Sequence, residues 1–227
     1  MATLPLQDRA EAGRLLGLEL ASRKLGANAI VLALPRGGVE VGAAVAESLR
    51  APLDVVVVRK LGVPWQPELA MGALAGNTRV LDTQLIHDLG ISAEQVEAVI
   101  AHESREMERR EKLYRGGLPA PNLCGRAVVL VDDGLATGST MVAAARHVLS
   151  HHPQKLIVAV PVGSWQACRR LSREAEECIC LATPEPFVAV GAWYDDFRQV
   201  TDFEVQEILK RQHQSSASRR AVGDTAL

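Results

Sequence analysis

Short runs of apolar residues with almost no polar interruption alternate along this chain with longer stretches in which apolar residues recur every three or four positions. The first kind reads as strands covered on both faces, the second as helices with one covered face. Leu6 to Leu25 carries Leu15, Leu16, Leu18 and Leu20 at helical spacing and predicts an N-terminal helix; a strand over Ala29 to Leu34, a helix from about Val39 to Leu49 and a strand over Leu53 to Arg59 follow. Gly62 to Gly76 is punctuated by Pro and Gly and reads as a loop or flap rather than core. Ser92 to Gln95 has capping-box form and opens a long helix ending near Gly116. Val128 to Val131 is the next strand, and after it come a helix to about Ser150, a strand over Lys155 to Val160, a helix around Trp165 to Glu176 and a short strand over Cys178 to Leu181. A second capping box, Thr201 to Glu204, starts the last helix, whose periodicity fades beyond Lys210. This alternation predicts an α/β fold: an open parallel sheet of about five strands flanked by helices.

Composition narrows the class. The 227 residues suffice for one domain with a full core, and 48% hydrophobic with 23% charged residues is ordinary for a globular protein. We place that single domain over residues 1–210, with residues 213–227 as a disordered tail. A net charge of −2 supplies no positive field to draw the chain to nucleic acid or an anionic membrane, so its substrates should be small. Nowhere do eighteen apolar residues run together, and Met1 to Arg14 carries Asp8 and Glu11 instead of an apolar signal core; a soluble, cytoplasmic protein is expected. Cys124, Cys168, Cys178 and Cys180 lack metal-site spacing and read as reduced core residues, and the six histidines are without metal-ligand company.

The chemistry concentrates in Val128 to Thr140. A buried strand ends in two adjacent carboxylates, Asp132 and Asp133, and Gly134, Leu135, Ala136, Thr137 and Gly138 then turn into a helix at Ser139 and Thr140. Ligands of open α/β sheets settle outside the carboxyl ends of strands, and a helix N-terminus offers unpaired N–H groups to a phosphate. Carboxylates accept from a vicinal diol, so this stretch suits a ribose phosphate. A nucleotide P-loop is excluded, because no Gly-Lys-Ser/Thr follows. Leu34-Pro35-Arg36-Gly37-Gly38 repeats the strand, loop and helix logic, with glycines for close backbone approach and Arg36 as a fork for phosphate oxygens. Arg59 and Lys60 end the second strand, where a basic side chain either reaches across the strand ends or is simply solvated. Charged residues over 92–115 read as a solvated helix held by i,i+4 pairs. Aromatics gather at Pro184 to Val188 and Val190 to Phe197 in a chain that is only 4% aromatic; they read equally as a platform for a flat ligand or as a small core.

The diacid loop fills the phosphoribosyl pyrophosphate motif of the type I phosphoribosyltransferases, and Pro35-Arg36-Gly37-Gly38 resembles their pyrophosphate loop. With Leu61 to Pro64 and Glu68 to Ala73, residues Ala29 to Val205 resemble a bacterial branch of these enzymes whose acceptor is not established. The resemblance implies a core over about 26–182, a hood over about 183–200, a C-terminal helix over 201–212 and a flap. It implies transfer of a phosphoribosyl group from phosphoribosyl pyrophosphate to a nitrogen acceptor, a nucleobase, with release of pyrophosphate. Mg²⁺ is the implied cofactor, held indirectly by Asp132 and Asp133 through ribose and water. Arg36 and Lys60 are the implied catalytic residues, with Phe187 stacking on the base, Val188 offering backbone groups and Asp195 or Asp196 nearby. Ala136 stands where 6-oxopurine enzymes carry an Asp, which sets the acceptor apart from guanine and hypoxanthine. A non-catalytic sensor of phosphoribosyl pyrophosphate or a nucleotide is the alternative, and a homodimer stays open.

Overall fold

The computed structural model describes residues 3–223, with side chains described through residue 214. Helix α1 (Arg9–Ala21) leads into β1 (Ile30–Ala33), α2 (Gly37–Leu49) and β2 (Leu53–Val55). Strands β3 (Val58–Val63), β4 (Gln66–Ala75) and β5 (Thr78–Leu81) follow, then a short α3 (Thr83–Asp88) and the long α4 (Ala93–Arg115). Alternation resumes with β6 (Ala127–Val131), α5 (Ser139–Leu149), β7 (Lys155–Val162), α6 (Trp165–Leu171) and β8 (Glu177–Ala182), and a 3-10 turn over Val190–Trp193 precedes α7 (Asp202–Gly223).

The main sheet has the order β2-β1-β6-β7-β8, with every neighbouring pair parallel. Helices cover both faces, which is why β1 and β6 are apolar at every position and buried throughout. Alternate residues serve opposite cores. Val31, Ala33, Val129 and Val131 join the layer shared with α1, α2, α4 and α7, while Ile30, Leu32, Val128 and Leu130 join the layer under α5 and α6. From β1 the chain winds outward to β2, and from β6 it winds the other way to β7 and β8. The winding reverses between β1 and β6, so a crevice opens at the carboxyl ends of those two strands.

Several boundaries differ from expectation. Gly62 to Gly76 is not an irregular loop: it lies in an antiparallel sheet of order β3-β4-β5, with Pro64 and Trp65 forming one turn and Gly76 opening the next. Its glycines mislead because Gly62 and Gly72 serve close strand-to-strand approach, against Pro67 and Val80, while Ala73 and Ala75 sit in the α5 layer and Met71 and Leu74 in the opposite one. The apolar run Leu53 to Arg59 breaks into β2 and β3, the first in the main sheet and the second in the small one. Helix α7 continues to Gly223, so the tail expected from residue 213 is helical as far as it is described, and residues 224–227 lie outside the described residues. Cys124 is exposed rather than a core residue. Both capping boxes form: Ser92 Oγ accepts from the Gln95 amide (3.3 Å) while Gln95 Oε1 accepts from the Ser92 amide (2.9 Å), and Thr201 with Glu204 repeats the exchange.

Helix α1 lies directly on α2. A Cβ on Gly13 would fall 2.5 Å from the Val41 carbonyl oxygen, and one on Gly17 2.5 Å from Ser48 Cβ. This approach, one turn beyond Arg9, fixes where the start of α1 meets the crevice.

Candidate active site

Asp132 and Asp133 follow the last residue of β6, at the reversal of the sheet. The Leu34 amide donates to the Val131 carbonyl (2.9 Å), so the two predicted loops, 34–38 and 132–140, leave neighbouring strands side by side. They also touch. A Cβ on Gly38 would sit 2.9 Å from both Asp132 Cα and Oδ1, and one on Gly37 would overlap Asp133 Oδ2. Glycine at both positions is therefore a packing requirement.

The carboxylates are largely withdrawn from water. Burial pushes the Asp132 carboxyl well up from the usual range, with the neighbouring Asp133 charge adding to the rise and the Asp133 amide, which donates to Asp132 Oδ1 (2.9 Å), opposing it. Burial also raises Asp133, but Arg9 counters by charge and by a hydrogen bond from its Nε to Asp133 Oδ2 (2.9 Å). The Tyr194 hydroxyl donates to the Asp133 carbonyl oxygen (2.6 Å). Among the described residues no group of three or more His, Cys, Asp or Glu side chains is placed to hold a metal ion. Two carboxylates alone suit a Mg²⁺ that keeps its waters and takes other ligands from a phosphorylated substrate.

Beyond the acids the chain turns back along β7. The Leu135 amide donates to Val162 O (2.9 Å), the Ser164 amide to Leu135 O (2.8 Å) and Ser164 Oγ to Ala136 O (2.6 Å). Gly138 has φ of +74° and opens α5. Among the described residues the amides of Ala136, Thr137 and Gly138 donate to no backbone carbonyl. These amides, with the Thr137, Ser139 and Thr140 hydroxyls, are the donors that a cradle for an anion at the start of α5 would use.

A cavity of about 670 Å³ adjoins this cradle, lined by Ala136, Thr137 and Ser164, by Trp165, Gln166 and Arg170 of α6, and by Pro184 to Val188. The predicted Phe187 and Val188 are among its walls. Asp195 is not: it is exposed, and its amide donates to Leu6 O (2.8 Å) in an edge contact with the N-terminal segment. Arg36 caps α2 and points to the start of α7, 3.9 Å from Asp202 Oδ1, which also accepts from the Tyr114 hydroxyl (2.7 Å). Lys60 stands on β3 and donates to Glu68 Oε2 (3.3 Å) across the hairpin, while Arg59 pairs with Glu103 of α4 (2.7 Å).

The pattern of the family described as "Phosphoribosyl transferase domain" matches residues 18–192. The chain belongs to that family. Two Mycobacterium tuberculosis proteins, from strains CDC 1551 and H37Rv, each named "Putative phosphoribosyl transferase", are 44% identical to it over 220 residues, which cover 96% of this chain and 49% of each relative. The chain thus spans about half the length of the curated relatives it matches. The crystal structure of TT1426 from Thermus thermophilus superposes with a TM-score of 0.79 at 42% identity, covering 92% of this chain and 99% of that one. This phosphoribosyltransferase-family chain accordingly has the fold its motifs imply, a five-stranded parallel sheet flanked by helices.

Residues that the sequence did not single out complete the site. Arg9 is 6% exposed against the diacid, Tyr194 holds its backbone, Ser164 anchors the cradle, and Trp165 and Arg170 wall the cavity. Trp165 and Arg170 stand four positions before and one position after Arg169, whose guanidinium lies 5.1 Å from the Trp165 ring centroid. Helical spacing could have drawn attention to this pair, but no spacing links Arg9 to a residue 124 positions away.

Proposed function

We propose that the protein transfers a phosphoribosyl group from phosphoribosyl pyrophosphate to a nitrogen acceptor and releases pyrophosphate. The observation that carries this reading is the contact between loops 34–38 and 132–140 at the carboxyl ends of β1 and β6, which sets a diacid against a second glycine loop in the segment that leads into α5. In this reading the Ala136 to Thr140 loop takes the 5′-phosphate, and Asp132 and Asp133 accept from the ribose hydroxyls. The amides of Gly37 and Gly38 and the Arg36 fork hold the pyrophosphate as it leaves, with Lys60 brought in from the hairpin. Asp132 and Asp133 would hold a Mg²⁺ indirectly, through ribose and water, and the ion would supply charge neutralisation of the departing pyrophosphate. The protein's own part is positioning and electrostatic stabilisation, since bond breaking at the anomeric carbon passes through an oxocarbenium-like state that needs no covalent nucleophile.

The acceptor, a nucleobase in this reading, occupies the cavity beside Ala136, where Trp165 and Phe187 offer rings and Gln166, Arg170 and the Val188 backbone offer polar groups. Ala136 has no carboxylate to give, so a purine nitrogen that needs one is not served from that position. Incubating the protein with phosphoribosyl pyrophosphate, Mg²⁺ and a panel of bases, and measuring pyrophosphate, tests the reading: release with one base supports transfer. Tight donor binding with no release for any base would favour a sensor instead.

A further inference from the structure

A buried guanidinium is costly unless it is paired and hydrogen-bonded. Arg9, at the first position of α1, is 6% exposed, and its Nε and one of its terminal nitrogens are engaged. Nε donates to Asp133 Oδ2 (2.9 Å), one terminal nitrogen donates to the Arg198 carbonyl (2.7 Å), and the same nitrogen is 3.9 Å from Glu40 Oε2. The guanidinium face lies 3.9 Å from the centroid of the Phe197 ring. We propose that Arg9 is a positioning residue, which fixes the Asp133 carboxylate for the ribose hydroxyls and ties that carboxylate to the hood. This rests on the reading of Asp132 and Asp133 as the ribose-binding acids.

Three features of the surroundings support a role beyond stapling α1. Arg9 engages Oδ2 of Asp133, so one oxygen of the carboxylate is held by a charged partner and the orientation of the group is set by it. A Cβ on Gly37 would come within 2.8 Å of Arg9 Nε as well as onto Asp133, so the Arg36 loop is seated on the ion pair itself. The chain before α1 is tied to the hood, because the Leu6 amide donates to Trp193 O (2.8 Å), the Asp195 amide to Leu6 O (2.8 Å) and the Asp196 amide to Gln7 O (2.9 Å). The acceptor side of the crevice and the ribose acid are thereby joined through one side chain. An apolar residue could staple α1 at lower cost, but it could not neutralise one of two adjacent buried carboxylates. Lysine could supply the charge, but not the fork and the ring contact together.

Binding of ribose 5-phosphate and of 2,3-dideoxyribose 5-phosphate, measured by calorimetry, separates positioning of the acid from support of the fold. Wild type is expected to prefer the ribose compound. For Arg9→Gln the affinity for ribose 5-phosphate should fall roughly tenfold to hundredfold, the scale of a lost charge-assisted hydrogen bond, while the dideoxy compound changes little. Arg9→Lys should recover part of the lost preference. If Arg9→Gln does not fold, Phe197→Leu removes only the ring beneath the guanidinium and should lower the preference several-fold, roughly the weight of a solvent-exposed cation–π contact. An unchanged ratio in the folded variant, or equal losses for both sugars, overturns the proposal. Wild type that binds phosphoribosyl pyrophosphate without preferring ribose overturns the role of Arg9 alone, whereas wild type that binds no phosphoribosyl pyrophosphate overturns the donor reading as well.

Discussion

Asp132 illustrates how function is set against stability in a single side chain. Its carboxyl is raised by burial and by Asp133, so the charged form is held in the folded protein at a cost. A group whose folded pKa lies above its unfolded one contributes stability at low pH and loses it as pH rises through the folded value. Asp132→Asn should therefore raise the melting temperature of the ligand-free protein at neutral pH, and the gain should shrink as the pH is lowered and the native carboxyl takes up its proton. A melting series across pH checks this, and a variant that is less stable than wild type at neutral pH would sink it. Arg36 is expected to behave differently. Arg36→Ala should cost ~3 kcal/mol of transition-state stabilisation, the scale of one removed charge-stabilising donor, with a weaker effect on nucleoside monophosphate affinity. Equal losses in turnover and monophosphate affinity would place Arg36 on the nucleotide or in the fold. Asp132, Asp133, Arg36 and the cradle were legible from the sequence because each motif is contiguous and ends an apolar run. Arg9 was not, since its partner is set by the fold of two distant segments.

Strands and helices were read well where one periodicity held from end to end, as in β6 and α4, and poorly where small residues carried two meanings. The segment around β4 is the clear case: its Pro and Gly look like turn signals, yet Gly72 pairs closely with β5 and its neighbours Ala73 and Ala75 pack in the layer of α5. The joint between that sheet and α5 contains His147, whose ring fills the space beside Gly76. Burial lowers its pKa from 6.5 to about 4, with His151 and Arg115 adding to the fall. For a base with a depressed folded pKa, stability is fully present above the unfolded value and is lost as pH falls from there towards the folded one. Docking of β4 on α5 should thus loosen between about pH 6.5 and 4, as hydrogen exchange at the Ala73 and Ala75 amides would report. His147→Gln should flatten that dependence, and an identical pH profile in the variant would assign the effect elsewhere. At the start of α5, Gly138→Val forces a β-branched residue to φ of +74° and should cost ~1–3 kcal/mol in denaturant unfolding. The same change should weaken phosphate binding at the cradle, and a variant as stable as wild type would contradict the strain.

Taken together, the molecule is a parallel sheet whose winding reverses between β1 and β6, with the two loops of the proposed donor site gathered at that reversal, Lys60 apart from them on the small sheet, and a cavity proposed for the acceptor beside Ala136. No described helix is long and apolar enough to cross a membrane. The fold and the loops of the proposed donor end were legible because hydrophobic periodicity and the diacid loop are local patterns. The acceptor end was legible only in part, because Phe187 and Val188 belong to a compact segment while Trp165 and Arg170 arrive from α6. Family membership leaves the acceptor open, and half of each Mycobacterium tuberculosis relative has no counterpart in this chain. The most direct test of the central claim is calorimetric titration of phosphoribosyl pyrophosphate into wild type and into the Asp132→Asn, Asp133→Asn double variant, each with and without Mg²⁺. Mg²⁺-dependent binding to wild type that disappears in the folded double variant is the predicted result. Undiminished affinity in the double variant would contradict the assignment of these acids to the donor.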